Sequence, residues 1–401
     1  AKARSFTKGD IKKVNVAMNS GMYKNAFTCG IPNSNEVGNI FAAALGVVAG
    51  NADKGLESLA DVTPEDNVKA QEMIDQGKIT VELSGITSRI FIEATVETEE
   101  DKAIVTIRDS HTNITKIIVN DKVELETEDE KKTEEDGGEE ESHSIHKYTL
   151  QQLYDYVTTV DIEEIRFINE AYKVNLELFH EGLENPRTTF ARQLLAINNG
   201  KEVSDDEQKT ASLMCNAAIE ARVIGLDKPA MSITGSGAHG IIATMPLYAA
   251  YKVNGYTEEQ LLRATALSYL VCMYIKEYSG RLSAFCGCAI AAGSGMACAL
   301  VYLRGGTVEM MAHTLNNMAS SITGMICDGG NQGCTMKGVA AVDAAYKSVE
   351  FAMNGIYISE VHGINGNTPE ETMRNMGLIA SPGMVGTEKT IVEIFEDKLK
   401  K

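Results

Sequence analysis

The hydrophobic period of this chain changes inside its first third, and that change limits the folds open to it. Ile79, Val81 and Leu83 alternate with Thr80 and Glu82, and residues 89–96, 103–107 and 114–119 repeat the β-branched habit. A period of two sends successive side chains to opposite faces of a strand, so residues 78–123 read as a small antiparallel sheet. On either side the spacing is helical. Residues 45–76 carry it upstream, and downstream of Tyr148 it recurs in Ile165, Ile168, Tyr172, Leu176 and Phe179. Thr257 and Gln260 form a capping-box pattern that opens a helix to about Tyr278, and Gly280 stops it. Thr307 is placed to cap a helix ending near Cys327, and Thr335 to start one reaching about Met353. The expected fold class is α+β. Both chain ends, 1–77 and 148–401, would build a mostly helical catalytic domain, with a small β domain at 78–147 that ends in an acidic loop.

With 401 residues, 44% of them hydrophobic, the chain can bury one large core and a smaller module. The net charge of −19 is concentrated: eleven acidic residues and two lysines lie within 124–141, about half of the excess. That segment has little to bury and reads as a solvated loop. The rest is mildly acidic without a Lys/Arg stripe, which excludes nucleic acid as a partner. Residues 282–303 carry no charge and reach the roughly 20 residues of a membrane span. They are rich in Gly, Ala, Ser and Cys, however, so they read as a buried core helix. The start lacks a basic stretch followed by an apolar one, which makes the cytoplasm the expected location. Seventeen methionines and many small-residue helices lead to the expectation of a homodimer.

In a reducing compartment eight cysteines are metal ligands or core residues rather than disulfides. Cys215, Cys272 and Cys298 fall in apolar helical runs and read as core. Cys286 and Cys288 stand at the entry to an apolar helix, where the helix dipole would lower a thiol pKa. Cys327 and Cys334 bracket Asp-Gly-Gly-Asn-Gln-Gly, and Cys29 precedes the small-residue stretch 37–48. None of these spacings gives the C-x₂₋₄-C pairs of structural zinc. A second glycine-rich element, Thr234-Gly-Ser-Gly-Ala-His-Gly240, opens a helix. It is either a plain tight turn or a loop whose N–H groups hold a carboxylate. It lacks the ending of a P-loop and the spacing of a dinucleotide fingerprint.

Phe27-Thr-Cys-Gly-Ile-Pro32, Thr234-Gly-Ser-Gly-Ala-His-Gly240, Ser283-Ala-Phe-Cys-Gly-Cys-Ala-Ile-Ala-Ala-Gly293 and Gly324-Met-Ile-Cys-Asp-Gly329 together resemble the L-cysteine desulfidases, within the iron–sulfur L-serine dehydratase α-chain superfamily. The likeness covers nearly the whole chain. It implies an oxygen-sensitive [4Fe–4S] cluster held by three cysteines, with one iron open to a small amino acid substrate. Carried over, the ligands are Cys29, one of Cys286 and Cys288 with Cys286 favoured, and Cys327; Cys334 is a neighbouring thiol. Many relatives carry Cys-Thr-Glu-Pro where this chain has Cys29-Gly-Ile-Pro32, which makes Glu36 the nearest replacement for that glutamate in substrate binding. The implied reaction is loss of sulfide from L-cysteine to give pyruvate and ammonia. The alternatives are L-serine dehydration on the same site and a non-catalytic iron–sulfur sensor. In this scheme Thr234, Gly235, Ser236 and Gly237 hold the substrate carboxylate. His239 is the candidate base, set against a packing histidine, and Lys337 is a second candidate, set against a solvated lysine.

Overall fold

The computed structural model describes residues 1–87, 89–127, 144–280 and 282–400. Six strands form one sheet in the order β2-β1-β3-β4-β5-β6: β1 (Ile11–Asn19), β2 (Ile79–Gly85), β3 (Phe91–Thr98), β4 (Lys102–Arg108), β5 (Ile114–Val119) and β6 (Lys122–Glu126). β1 is parallel to β2 and antiparallel to β3; the remaining pairs are antiparallel. The expectation of an antiparallel sheet drawn only from 78–123 is therefore corrected. The sheet is mixed, and its second strand comes from the start of the chain. The alternation Val14, Val16, Met18 is a strand signal, but its pairing partners lie more than 60 residues away in sequence and cannot be read locally.

A parallel pair needs a crossover connection. Here α1 (Ser20–Ala26), α2 (Asn39–Val48) and α3 (Pro64–Asp75) supply it, the last opened by a Thr63–Asp66 capping box. Phe41, Ala44 and Leu45 of α2 and Ala70 of α3 pack with Val14, Ile79, Val96 and Val105 into a core of their own. Most of the first 77 residues thus cover the sheet rather than joining the helical body. The acidic segment, expected as a loop, falls largely at 128–143, outside the described residues.

The body comprises α4 (Leu150–Thr159), α5 (Ile162–Ile165), α6 (Asn169–Glu184), α7 (Phe190–Ile197), α8 (Glu207–Val223), α9 (Gly237–Asn254), α10 (Glu258–Ser279), α11 (Gly293–Leu303), α12 (Val308–Ile322), α13 (Gly333–Met353), α14 (Pro369–Leu378) and α15 (Val385–Leu399). The Thr257–Gln260 box caps α10 and Thr307 caps α12. Helices α8, α9 and α11 are buried almost all round, as small-residue helices at the centre of a body must be. The uncharged stretch 282–303 is extended at first, passes through a π turn at Cys288–Ala292, and only then becomes α11. Among the described residues no helix is long and apolar enough to cross a membrane.

The two ends of the chain meet beside the cysteines. Phe27 stacks on Phe395 with centroids 4.4 Å apart. Lys24 Nζ pairs with Glu388 at 2.6 Å and donates to the Ser283 carbonyl at 3.0 Å. This buried clamp ties α1 and α15 to the strand that leads into Cys286.

Candidate active site

Two of the thiols are set by a one-residue bridge, Phe285 opposite Ile326. Cys286 N–H donates to the Met325 carbonyl at 3.0 Å, and Cys327 N–H to the Ala284 carbonyl at 2.6 Å. Side chains alternate faces in extended backbone, so Cys286 and Cys327, each next to the bridged pair, share the face opposite Phe285 and Ile326. Such diagonal positions are about 7–8 Å apart. That is wide for a disulfide, and it suits two thiols addressing one body between them.

Cys29 reaches the same place from the loop after α1. Gly30 N–H donates to the Val223 carbonyl at 2.9 Å, and a Cβ on Gly330 would lie 3.5 Å from Cys29 Sγ. The thiol therefore stands between the end of α8 and the loop 327–334. Burial pushes its pKa up, and the Arg222 guanidinium pulls against that. Cys334, in the first turn of α13, directs its Sγ to the Gly329 carbonyl at 3.4 Å, and burial pushes its pKa up to about 11. All eight cysteines are free; Cys29, Cys288, Cys327 and Cys334 are half-buried and the other four buried.

The expected lowering of the Cys286 pKa by a helix dipole is not met. Its hydrogen bond with Cys288 and then burial hold the thiol well above the ordinary range, and regular helix begins only at Gly293. The π turn intervenes, a distortion that often marks functional sites.

The glycine-rich element makes a tight turn. Ile233 and Ser236 bridge, and the two central residues, Thr234 and Gly235, have φ of 54° and 79°, the pattern of a type I′ turn. A β-branched residue in that region is strained. The strain puts the Thr234 hydroxyl 2.7 Å from the Ile233 carbonyl and 2.6 Å from His239 Nδ1. A hydroxyl has one proton, and here it goes to the carbonyl. The hydroxyl oxygen then accepts from Nδ1–H, which leaves Nε2 as the bare nitrogen. His239 is 4% exposed. Burial first, with Lys276 and Arg222 adding to it, holds its pKa well below the usual value, so the ring is neutral at pH 7. A Cβ on Gly287 would lie 2.7 Å from Nε2. The bare nitrogen thus faces the backbone between Cys286 and Cys288.

Three residues that the sequence reading passed over complete the site. Lys276, on α10, is 5% exposed and donates only to Ser279 Oγ and the Gly280 carbonyl, with no carboxylate partner among the described residues. Burial lowers its pKa, and Cys288, Cys327 and Cys272 oppose that. Its one sequence signal is that it ends the uncharged run 264–275. Asp328 pairs with Lys337. Burial disfavours the lysine's charge, but the bond and charge of Asp328 outweigh burial and keep its pKa raised. Lys337 is thus a charged, paired group rather than a free base. Arg222 lies along Gly237, the first residue of α9.

Glu36 is not brought to this centre. It is exposed and lines an adjoining cleft of about 560 Å³ with Asn33, Asn67 and Arg187. A second cleft, of about 460 Å³, runs past Thr28, Arg187 and Ile224 to Asn331, Gln332 and Gly333, and so opens beside Cys29 and Cys334.

The family model described as the serine dehydratase alpha chain matches residues 53–393. The chain belongs to that family. Among its relatives, a UPF0597 protein of Clostridium botulinum is 40% identical over 402 residues, covering 100% of this chain and 93% of that protein. UPF0597 proteins of Caldanaerobacter subterraneus and Bacteroides fragilis are 35% and 33% identical, each covering 99% of this chain and 92% of the relative. Every segment that carries the site residues from Lys276 to Lys337 falls inside the matched span, whereas Cys29 precedes it.

The donor set can be tested against an iron–sulfur cluster. Among the described residues no three His, Cys, Asp or Glu side chains gather closely enough to hold a single ion. Zinc would draw its thiolates to about 2.3 Å from one centre. A cluster takes its thiolates from positions spread around a larger body, and Cys286 and Cys327 flank one bridge while Cys29 stands against the loop that follows Cys327. Lys276 supplies the second indication. A buried ammonium costs several kcal/mol unless an anion compensates it, and the nearby sulfurs of Cys288, Cys327 and Cys272 are the groups that oppose the effect of burial on Lys276. The residues fit the group.

Proposed function

We propose that this chain is an iron–sulfur lyase that eliminates sulfide from L-cysteine to give pyruvate and ammonia. The observation that carries the reading is the meeting of thiols from three distant segments, 29, 286–288 and 327–334, beside a neutral buried histidine and an uncompensated buried lysine. Cys29, Cys286 and Cys327 would hold a [4Fe–4S] cluster, with Cys288 and Cys334 beside it. When bound, the cluster offers a Lewis-acidic iron for the substrate sulfur, favouring its departure as sulfide.

The remaining chemistry belongs to side chains. His239 takes the Cα proton at Nε2, the nitrogen that the Thr234 hydrogen bond leaves bare. A neutral imidazole is the correct form for that task, and burial with two nearby cations keeps it so. Gly287 leaves room for the ring to face the reacting carbon. The electron pair of the broken Cα–H bond forms the Cα–Cβ double bond as the C–S bond breaks. The resulting enamine takes up water and releases ammonia and pyruvate. Lys276, charged and close to the thiols, offsets negative charge that builds as sulfide leaves.

The family description favours a second substrate, L-serine, lost as water by the same route. The test is anaerobic reconstitution with iron and sulfide, followed by parallel assays of sulfide from L-cysteine and pyruvate from L-serine. A specificity constant at least tenfold higher for L-cysteine supports the desulfidase reading; the reverse order makes the chain a serine dehydratase.

A further inference from the structure

We propose that Arg222 is the residue that binds the substrate α-carboxylate, together with the open N-terminus of α9. This rests on the reading of the site as an amino acid lyase and adds to it the group that decides which thiols or alcohols are accepted.

Arg222 stands half-buried in the last turn of α8, between the buried Ala221 and Val223. Its guanidinium has no hydrogen-bond or ion-pair partner among the described residues. Lys24, Arg304 and Lys337 are each paired with a carboxylate, Glu388, Glu207 and Asp328 in turn, and the buried Lys276, which lacks one, donates to Ser279 and Gly280 instead. The nearest carboxylate in sequence, Glu220, is committed elsewhere. Its two oxygens accept from the N–H groups of Thr189, Phe190 and Ala191. A half-buried guanidinium left without an anion is set to receive one, and its planar fork matches a carboxylate.

What it faces is built for the same charge. Arg222 Nε would lie 2.8 Å from a Cβ on Gly237, so the side chain runs along the first turn of the 18-residue helix α9. Ser236 makes no side-chain cap there, which leaves the first N–H groups of the helix to a ligand. His239, 4% exposed, presents its unpartnered Nε2 from that same turn. Both Cys29 and His239 feel the Arg222 charge. A carboxylate held by Arg222 and the helix start would therefore bring its own α-carbon under Nε2, with the β-substituent toward the thiols.

The test compares two thiols that each lack one group of cysteine. 3-Mercaptopropionate keeps the carboxylate and lacks the amine; cysteamine keeps the amine and lacks the carboxylate. Binding is measured by calorimetry on anaerobically reconstituted protein, so no turnover is needed. Wild-type protein should bind 3-mercaptopropionate at least tenfold tighter than cysteamine. In Arg222→Gln that preference should fall to about onefold through weaker 3-mercaptopropionate binding, with cluster absorbance unchanged. If Arg222→Gln does not fold, Arg222→Lys keeps the charge and should weaken 3-mercaptopropionate severalfold while sparing cysteamine. A variant that keeps the wild-type preference, or loses both ligands equally, overturns the assignment. Carboxylate binding that depends on Arg222 in a protein releasing neither sulfide nor pyruvate would uphold the residue and sink the lyase reading; normal lyase activity with an unchanged preference would do the opposite.

Discussion

Gly287→Ala is the most economical probe of how the histidine and the Cys-Gly-Cys segment fit together. The added methyl would stand 2.7 Å from His239 Nε2, 3.0 Å from Cε1 and 3.2 Å from Lys276 Cε. Nonbonded heavy atoms are at their best at about 3.5–4.0 Å, so the nearest contact is roughly 0.8 Å too short. His239 is buried and held at Nδ1 by Thr234, and the ring can retreat only by giving up that bond. Overpacking of this kind costs about 1–3 kcal/mol, and the lost hydrogen bond adds about 1 kcal/mol. The variant should therefore be less stable by about 2–4 kcal/mol, seen as a lowered chemical-denaturation midpoint. Displacing a general base removes a contribution of roughly 10²–10⁴ in rate, so kcat for sulfide release should fall by about that factor. Cluster absorbance should stay at the wild-type level, because both flanking cysteines remain. Wild-type kcat and stability in Gly287→Ala would refute the placement of Nε2 over that backbone.

Two further outcomes are expected. Lys24→Met leaves Glu388 buried and charged without its partner, and its other oxygen already lacks one among the described residues. It should destabilise the protein by about 3–5 kcal/mol in urea denaturation, and Lys24→Met/Glu388→Leu should recover most of that. Because the folded-state pKa of His239 lies below its unfolded value, the unfolded chain binds more protons once the pH drops under about 6.5. Stability should hold above that pH and decline as it falls further, and His239→Gln should flatten this decline in melts between pH 7.5 and 5; an identical slope in both proteins would contradict a neutral buried ring.

Much of the helical body is legible locally, since capping boxes and glycine stops act within one turn: Thr257 and Thr307 cap the helices expected of them. Strands β3 to β5 are legible for the same reason, each alternating beside a sequence neighbour. β1 is not, because a strand whose partners lie across a three-helix crossover declares its faces but not its place in a sheet. The site divides along the same line. Glycine-flanked cysteines and the Thr234–His239 turn stand out because they interrupt helical runs. Lys276 and Arg222 sit inside regular helices, where a lone basic residue looks like a solvated one; only folding reveals that Lys276 is buried and Arg222 half-buried, neither with a carboxylate among the described residues. Glu36 shows the converse, a position suggested by resemblance that the fold places in the adjoining cleft.

The decisive measurement is anaerobic iron–sulfide reconstitution of the wild type beside single alanine variants of Cys29, Cys286, Cys288, Cys327 and Cys334. Each sample is read for iron content, cluster absorbance and sulfide released from L-cysteine. The wild type should load one [4Fe–4S] cluster per chain and turn over, Cys29→Ala, Cys286→Ala and Cys327→Ala should lose cluster and activity together, and Cys334→Ala should keep both. A Cys327→Ala protein that still loads the cluster and releases sulfide at the wild-type rate would contradict the account.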